Sequence, residues 1–173
     1  MSFLINKKIP NTEDLIKAVD YYPELDPSAC EVFLHLINSS IDVTNDVEAY
    51  FLNYNLTQAR FFVLFHLLDK HTKNPVPRTP AYLAELSAVT RSSMTSLLDT
   101  LEKDSLITRQ PHSSDHRMVY VFITPKGQKL VNDSLPGHLK NIADMMSSLS
   151  IPERKRIILL LSKISKNLRN KKY

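Results

Sequence analysis

Apolar residues recur at helical spacing over most of the chain. Cys30, Phe33, Leu34, Ile37 and Ile41, continued by Val47, Tyr50, Phe51 and Tyr54, form one stripe and predict a long amphipathic helix. Ser28 with Glu31 three residues later is a capping-box signature for its start, and Asp26-Pro27 adds a second start signal. Upstream, Asn11 to Val19 predicts a short helix ended by Tyr22-Pro23, so residues 1–27 read as an N-terminal extension. Thr57 is suited to cap a helix from Gln58 to about Lys70. Its Phe61, Phe62, Val63, Leu64, Leu67 and Leu68 leave almost no polar face, which places it at the centre of a core. Pro75 and Pro77 break the pattern, Thr79-Pro80 opens a short helix to about Ser87, and Thr90 caps another. In that last helix Met94, Leu97, Leu98 and Leu101 fall at i, i+3, i+4 and i+7.

After Ser105 the period changes from helical to alternating. Ile107 to Gln110 and Met118 to Ile123 predict a two-stranded hairpin joined by the polar segment Pro111 to Arg117. Thr124-Pro125 starts a helix through Leu130, Val131, Leu135, Leu139, Ile142 and Met146, which Pro136-Gly137 is expected to kink or interrupt. Ser150 with Glu153 opens a final helix through Ile157, Ile158, Leu161, Ile164 and Leu168. The expected fold is mainly α with a small β-hairpin wing. Residues 57–124 form a winged helix-turn-helix domain, and residues 28–56 with 125–173 form a helical region at both termini. Those terminal helices carry apolar stripes that the small winged domain cannot cover, so a second copy is the expected partner.

Composition supports a helical reading: the chain has only two glycines, where average usage of about 7% would give roughly a dozen, and 43% of its residues are hydrophobic. A net charge of +4 suits a polyanionic partner without demanding one. The helix capped by Thr90 turns Arg91, Ser92, Ser93, Thr95, Ser96 and Thr100 away from its apolar stripe. Short hydroxyls and one arginine allow close approach to a duplex, contacts to phosphates and base edges, and apolar contact with thymine methyls. A merely solvated face is the competing reading, disfavoured because serine and threonine are weak helix formers.

Asp115-His116-Arg117, then Val119 to Thr124 and Pro125-Lys126-Gly127, together with Leu83-Ala84-Glu85-Leu86, Thr90-Arg91-Ser92 and Leu97 to Lys103, resemble the MarR family of bacterial regulators. The resemblance is strongest over Leu56 to Ile123 and extends in layout from Ser28 to Lys171. It implies a homodimer built from the terminal helices, with Thr90 to Leu101 as recognition helix in the major groove and Arg117, beside His116, as wing contact in the adjacent minor groove. Asp115 would shape the wing. It further implies a transcriptional regulator, a repressor by expectation, bound to a pseudo-palindromic operator in double-stranded DNA. Two positions depart from the family: Ala88 and Ser105 stand where glycine is common, and a positive φ there would cost of order 1 kcal/mol each.

Many members of the family release DNA when a small aromatic or anionic effector binds; Tyr50, Phe51, Tyr54, Phe62, His66 and Tyr82 are candidates to line such a pocket, against the alternative that they are core. Cys30, the sole cysteine, is a candidate redox sensor, although Glu31 beside it disfavours the thiolate. His66 with His71, and His112 with Asp115 and His116, lack metal-site spacing, so neither metal nor cofactor is expected. The chain contains no Gly-rich phosphate loop, no Gly-x-Ser-x-Gly and no His-Glu-x-x-His, and an enzyme is not expected. Without an apolar run approaching about eighteen residues, a cytoplasmic protein with no membrane contact is expected. The rival class is a winged-helix protein-interaction module that binds no operator.

Overall fold

The structure, a computed structural model, describes residues 12–69, 72, 74–111 and 119–171. The chain divides into two compact units, Met1–Phe61 and Phe62–Tyr173.

In the first unit, α1 (Thr12–Ala18) lies against α2 (Pro27–Leu52). Leu15 is buried and the Thr12 hydroxyl donates to the Glu31 carboxylate at 3.0 Å. The cap of α2 is Asp26, not Ser28. Its carboxylate accepts from the Ala29 N–H at 3.0 Å and from the Ser28 hydroxyl at 2.7 Å, and these bonds hold the Asp26 carboxyl below its usual range. Pro27 decides this: it lacks an N–H and suits the first helical position, so the residue before it caps. Phe51 stacks on Phe61 with ring centroids 4.3 Å apart, and both are buried.

Helix α3 (Gln58–His66) starts as expected, with the Arg60 N–H donating to the Thr57 hydroxyl at 3.2 Å. It ends four residues earlier than the pattern predicts. After His66 the backbone pairs elsewhere: Val76 N–H donates to the Leu67 carbonyl at 2.8 Å and Asp69 N–H to that of Asn74 at 2.7 Å.

The second unit continues with α4 (Pro80–Leu86), α5 (Arg91–Lys103), β1 (Ile107–Pro111), β2 (Val119–Ile123), α6 (Pro125–Met145) and α7 (Ile151–Asn170). The strands pair antiparallel with Ile107 opposite Ile123 and Arg109 opposite Val121. A backbone bridge between Arg78 and Val121 adds a short third rung. Val63, Leu64, Leu67, Leu83, Met94, Leu98, Leu101, Ile107, Val121 and Val131 are among the buried apolar side chains of this unit. Helix α6 is not interrupted at Pro136, which sits inside it; one missing N–H is tolerated where the flanking turns remain bonded. On α7 the expected capping box forms, with the Ser150 N–H donating to the Glu153 carboxylate at 2.8 Å.

Three helices end with a residue in the left-handed region, and none of the three is glycine: Asn55 (φ 54°), Ala88 (φ 52°) and Ser105 (φ 60°). Each closes a Schellman turn. Leu56 N–H donates to the Phe51 carbonyl at 3.1 Å, Val89 N–H to Ala84 at 3.1 Å, and Leu106 N–H to Leu101 at 2.9 Å. Of the two alternatives at Ala88 and Ser105, a positive φ without glycine or a changed turn, the structure shows the positive φ.

Candidate nucleic-acid interface

Helix α5 buries Met94, Leu98 and Leu101 and exposes Arg91, Ser92, Ser93, Thr95, Ser96 and Thr100. The Thr90 hydroxyl caps it by accepting from the Ser93 N–H at 3.1 Å and pairs with the Ser92 and Ser93 hydroxyls at 2.9 and 2.8 Å. Three further hydroxyls turn back onto their own helix. Thr95 donates to the Arg91 carbonyl at 3.0 Å, Ser96 to that of Ser92 at 3.3 Å, and Thr100 to that of Ser96 at 3.0 Å. The resulting face is low in relief, which lets the helix axis come close to a partner surface.

Two cations that sequence reasoning did not single out hold the elements around α5 together. Arg109 on β1 reaches Asp99 of α5 at 2.7 Å, and the Arg109 N–H donates to the Glu102 carboxylate at 3.1 Å. The clamp ties the hairpin to α5 and offsets a carboxylate that would repel phosphates. The signal for it was strand parity: Arg109 shares the face of buried Ile107, where an arginine calls for an acidic partner. Arg78 donates from Nε to the His66 carbonyl at 2.6 Å, closing the end of α3, and its guanidinium lies 5.0 Å from the Tyr82 ring centroid.

The end of α5 is joined to the start of α6. Thr124 donates from its N–H to the Leu106 carbonyl at 3.0 Å and from its hydroxyl to the Ser105 carbonyl at 2.8 Å. The same hydroxyl accepts from the Gly127 N–H at 3.1 Å, and Lys126 Nζ donates to the Asp104 carbonyl at 2.8 Å. Gly127 is required by proximity: a Cβ there would stand 2.3 Å from the Leu106 carbonyl oxygen.

The other expected site residues are scattered. Asp115, His116 and Arg117 lie outside the described residues, as do His71 and His112. Of the aromatic pocket candidates, Tyr50, Phe51 and Tyr54 belong to the first unit, where Phe51 is buried core and the Tyr50 and Tyr54 hydroxyls are 3.3 Å apart. Phe62, His66 and Tyr82 belong to the second. Phe62 meets the edge of His138 with centroids 6.5 Å apart, and burial pushes the His138 imidazole below its ordinary value. Cys30 is half-buried in the first turn of α2. No group of three metal-ligating side chains occurs among the described residues. None of their helices is long and apolar enough to cross a membrane.

The MarR family model matches residues 56–119. The chain is 28% identical over 162 residues to the Bacillus subtilis HTH-type transcriptional repressor YetL, covering 94% of this chain and 95% of YetL. Among solved structures it is similar to a Staphylococcus aureus MepR–DNA complex, with TM-score 0.66 and 20% identity over 77% of this chain and 96% of MepR. It is also similar to Bordetella bronchiseptica BpsR, with TM-score 0.64 and 23% identity over 76% of this chain and 91% of BpsR, in a structure describing regulation of DNA binding by 6-hydroxynicotinic acid. The motif-bearing segment 56–119 matches the MarR family, and the helix-helix-helix-hairpin order and the end-to-end similarity to YetL extend the likeness to winged helix-turn-helix transcriptional regulators over the rest of the chain.

Proposed function

We propose that this regulator acts as a homodimer on a pseudo-palindromic operator and represses the genes it controls. The observation that carries the DNA-reading role is the low-relief, hydroxyl-bearing face of α5, clamped to the hairpin through Arg109. Thr90, Arg91, Ser92, Ser93, Thr95 and Ser96 contact the major groove, and Arg117, beside His116, contacts the minor groove in a wing shaped by Asp115. Similarity to YetL supports repression, and the MepR–DNA complex supports the mode of docking.

The helical regions 28–56 and 125–173 form the dimer, and residues 1–27 are an N-terminal extension of the chain. Helix α7 supports this, because it has no buried residue although it carries Ile157, Ile158, Leu159, Leu160, Leu161 and Leu168, all exposed. Burying one such side chain contributes about 1.5–3 kcal/mol, so a second copy has ample surface to hold. A small aromatic or anionic effector lowers DNA affinity, with the Tyr50–Tyr54 pair as a candidate contact; the regulation of BpsR's DNA binding by 6-hydroxynicotinic acid supports a small-molecule effector. The protein works in the cytoplasm.

Selection of bound duplexes from a random DNA pool tests the reading. The expected result is an inverted repeat with half-sites about one helical turn apart, bound about a thousandfold or more above a scrambled duplex and weakening steeply with salt. Absence of any enriched duplex would move the assignment to a protein-interaction module.

A further inference from the structure

The hydrogen bonds on α5 restrict what its hydroxyls can read. A hydroxyl carries one proton and two lone pairs. Thr95 spends its proton on the Arg91 carbonyl at 3.0 Å and Ser96 on the Ser92 carbonyl at 3.3 Å, so each faces outward as an acceptor. Both side chains are exposed in the N-terminal half of the helix, the part of a recognition helix that meets base edges. To bond a phosphate oxygen, either hydroxyl would have to break its internal bond. Donors in the major groove are the exocyclic amines of adenine and cytosine, and Thr95 also presents a methyl group, for which thymine's C5-methyl is the apolar counterpart. The base pair that offers an amine and a methyl together is A·T. Guanine, whose major-groove edge accepts at N7 and O6, offers neither Thr95 nor Ser96 a donor while those internal bonds hold, and Arg91 is the charged donor on this part of the face.

We propose that Thr95, assisted by Ser96, is a specificity-determining residue that selects an A·T pair in each half-site by accepting from the adenine N6 amine and packing against the thymine methyl. This rests on the DNA-reading role of α5 proposed above.

The test takes the operator enriched from the random pool and replaces single adenines by purine, which lacks the N6 amine, and single thymines by uracil, which lacks the methyl. At one A·T position per half-site, purine is expected to weaken binding by about three- to tenfold and uracil by about threefold. Thr95→Val, which keeps a methyl and loses the acceptor, should abolish the response to purine. Thr95→Ser, which keeps the acceptor and loses the methyl, should abolish the response to uracil. Melting temperatures matching the parent's would show that both variants fold. An enriched operator bound within twofold regardless of either analogue would overturn this inference alone. A pool without an enriched duplex would remove the regulator reading and this inference with it.

Discussion

Ala88→Gly and Ser105→Gly test whether the chain carries strain in the turn entering α5 and in the turn leaving it. An L-residue in the left-handed region costs roughly 1–2 kcal/mol relative to glycine. Glycine returns about 0.4–1 kcal/mol of this through its freer unfolded chain. The net expectation is a gain of about 0.5–1 kcal/mol per site. Both side chains are exposed, and the Schellman bonds use backbone atoms alone, so glycine removes no packing and no hydrogen bond. The two sites flank a 13-residue helix, about 20 Å long, and should act additively. For a chain of this size 1 kcal/mol moves Tm by about 2–4 °C, so the double variant should melt about 2–8 °C higher. Thermal unfolding at fixed protein concentration measures it, since a dimer's Tm depends on concentration. An unchanged or lower Tm in both single variants would refute the strain argument.

Gly127→Ala should run the other way. Alanine gains about 1 kcal/mol in helix propensity, but its Cβ would meet the Leu106 carbonyl at 2.3 Å, and the forced shift should leave a net loss of about 1–3 kcal/mol in chemical denaturation. Arg109→Ala removes the guanidinium's ion pairs to α5, keeps the backbone N–H bond to Glu102, and should weaken operator binding about tenfold while leaving the salt slope unchanged, because the guanidinium is spent on Asp99 and Glu102 and not on a phosphate. A slope reduced by about one would show instead a direct phosphate contact. Arg117→Ala should lower operator affinity at matched salt with the dimer intact by sedimentation; equal affinity would contradict the wing assignment. The depressed pKa of His138 has a definite sign: as pH falls below the imidazole's ordinary 6.5, the unfolded chain takes up the proton before the folded one, so stability drops. His138→Phe should flatten stability against pH between about 7 and 5, and an unchanged pH slope would place the titration elsewhere.

Cap chemistry was the most legible part of the sequence, because it depends on a few adjacent residues. Thr57, Thr79, Thr90, Thr124 and Ser150 each begin the helix that their positions predict. Ser28 misled because two cap-capable residues flank Pro27, and proline's missing N–H settled the choice. The end of α3 and the Arg78–Val121 rung depend on backbone segments distant in sequence, which periodicity does not report. Within the candidate site, the polar face of α5 was readable from the spacing of Met94, Leu98 and Leu101. The direction of its hydroxyl protons and the Arg109 clamp required coordinates.

The joint between α5 and α6 makes operator spacing a matter of angle. Thr124, Lys126 and Gly127 fasten the last carbonyls around α5 to the first turn of α6, so the two helices turn together. Helix α6 has 21 residues and is about 31 Å long. A rotation of about 10° about the far end of such a lever would carry the joint, and α5 with it, about 5 Å, or roughly one and a half base-pair steps along a duplex. In the proposed dimer, with the second copy held toward the far end of α6, a small tilt on the dimer side would put the two recognition helices out of register with their half-sites.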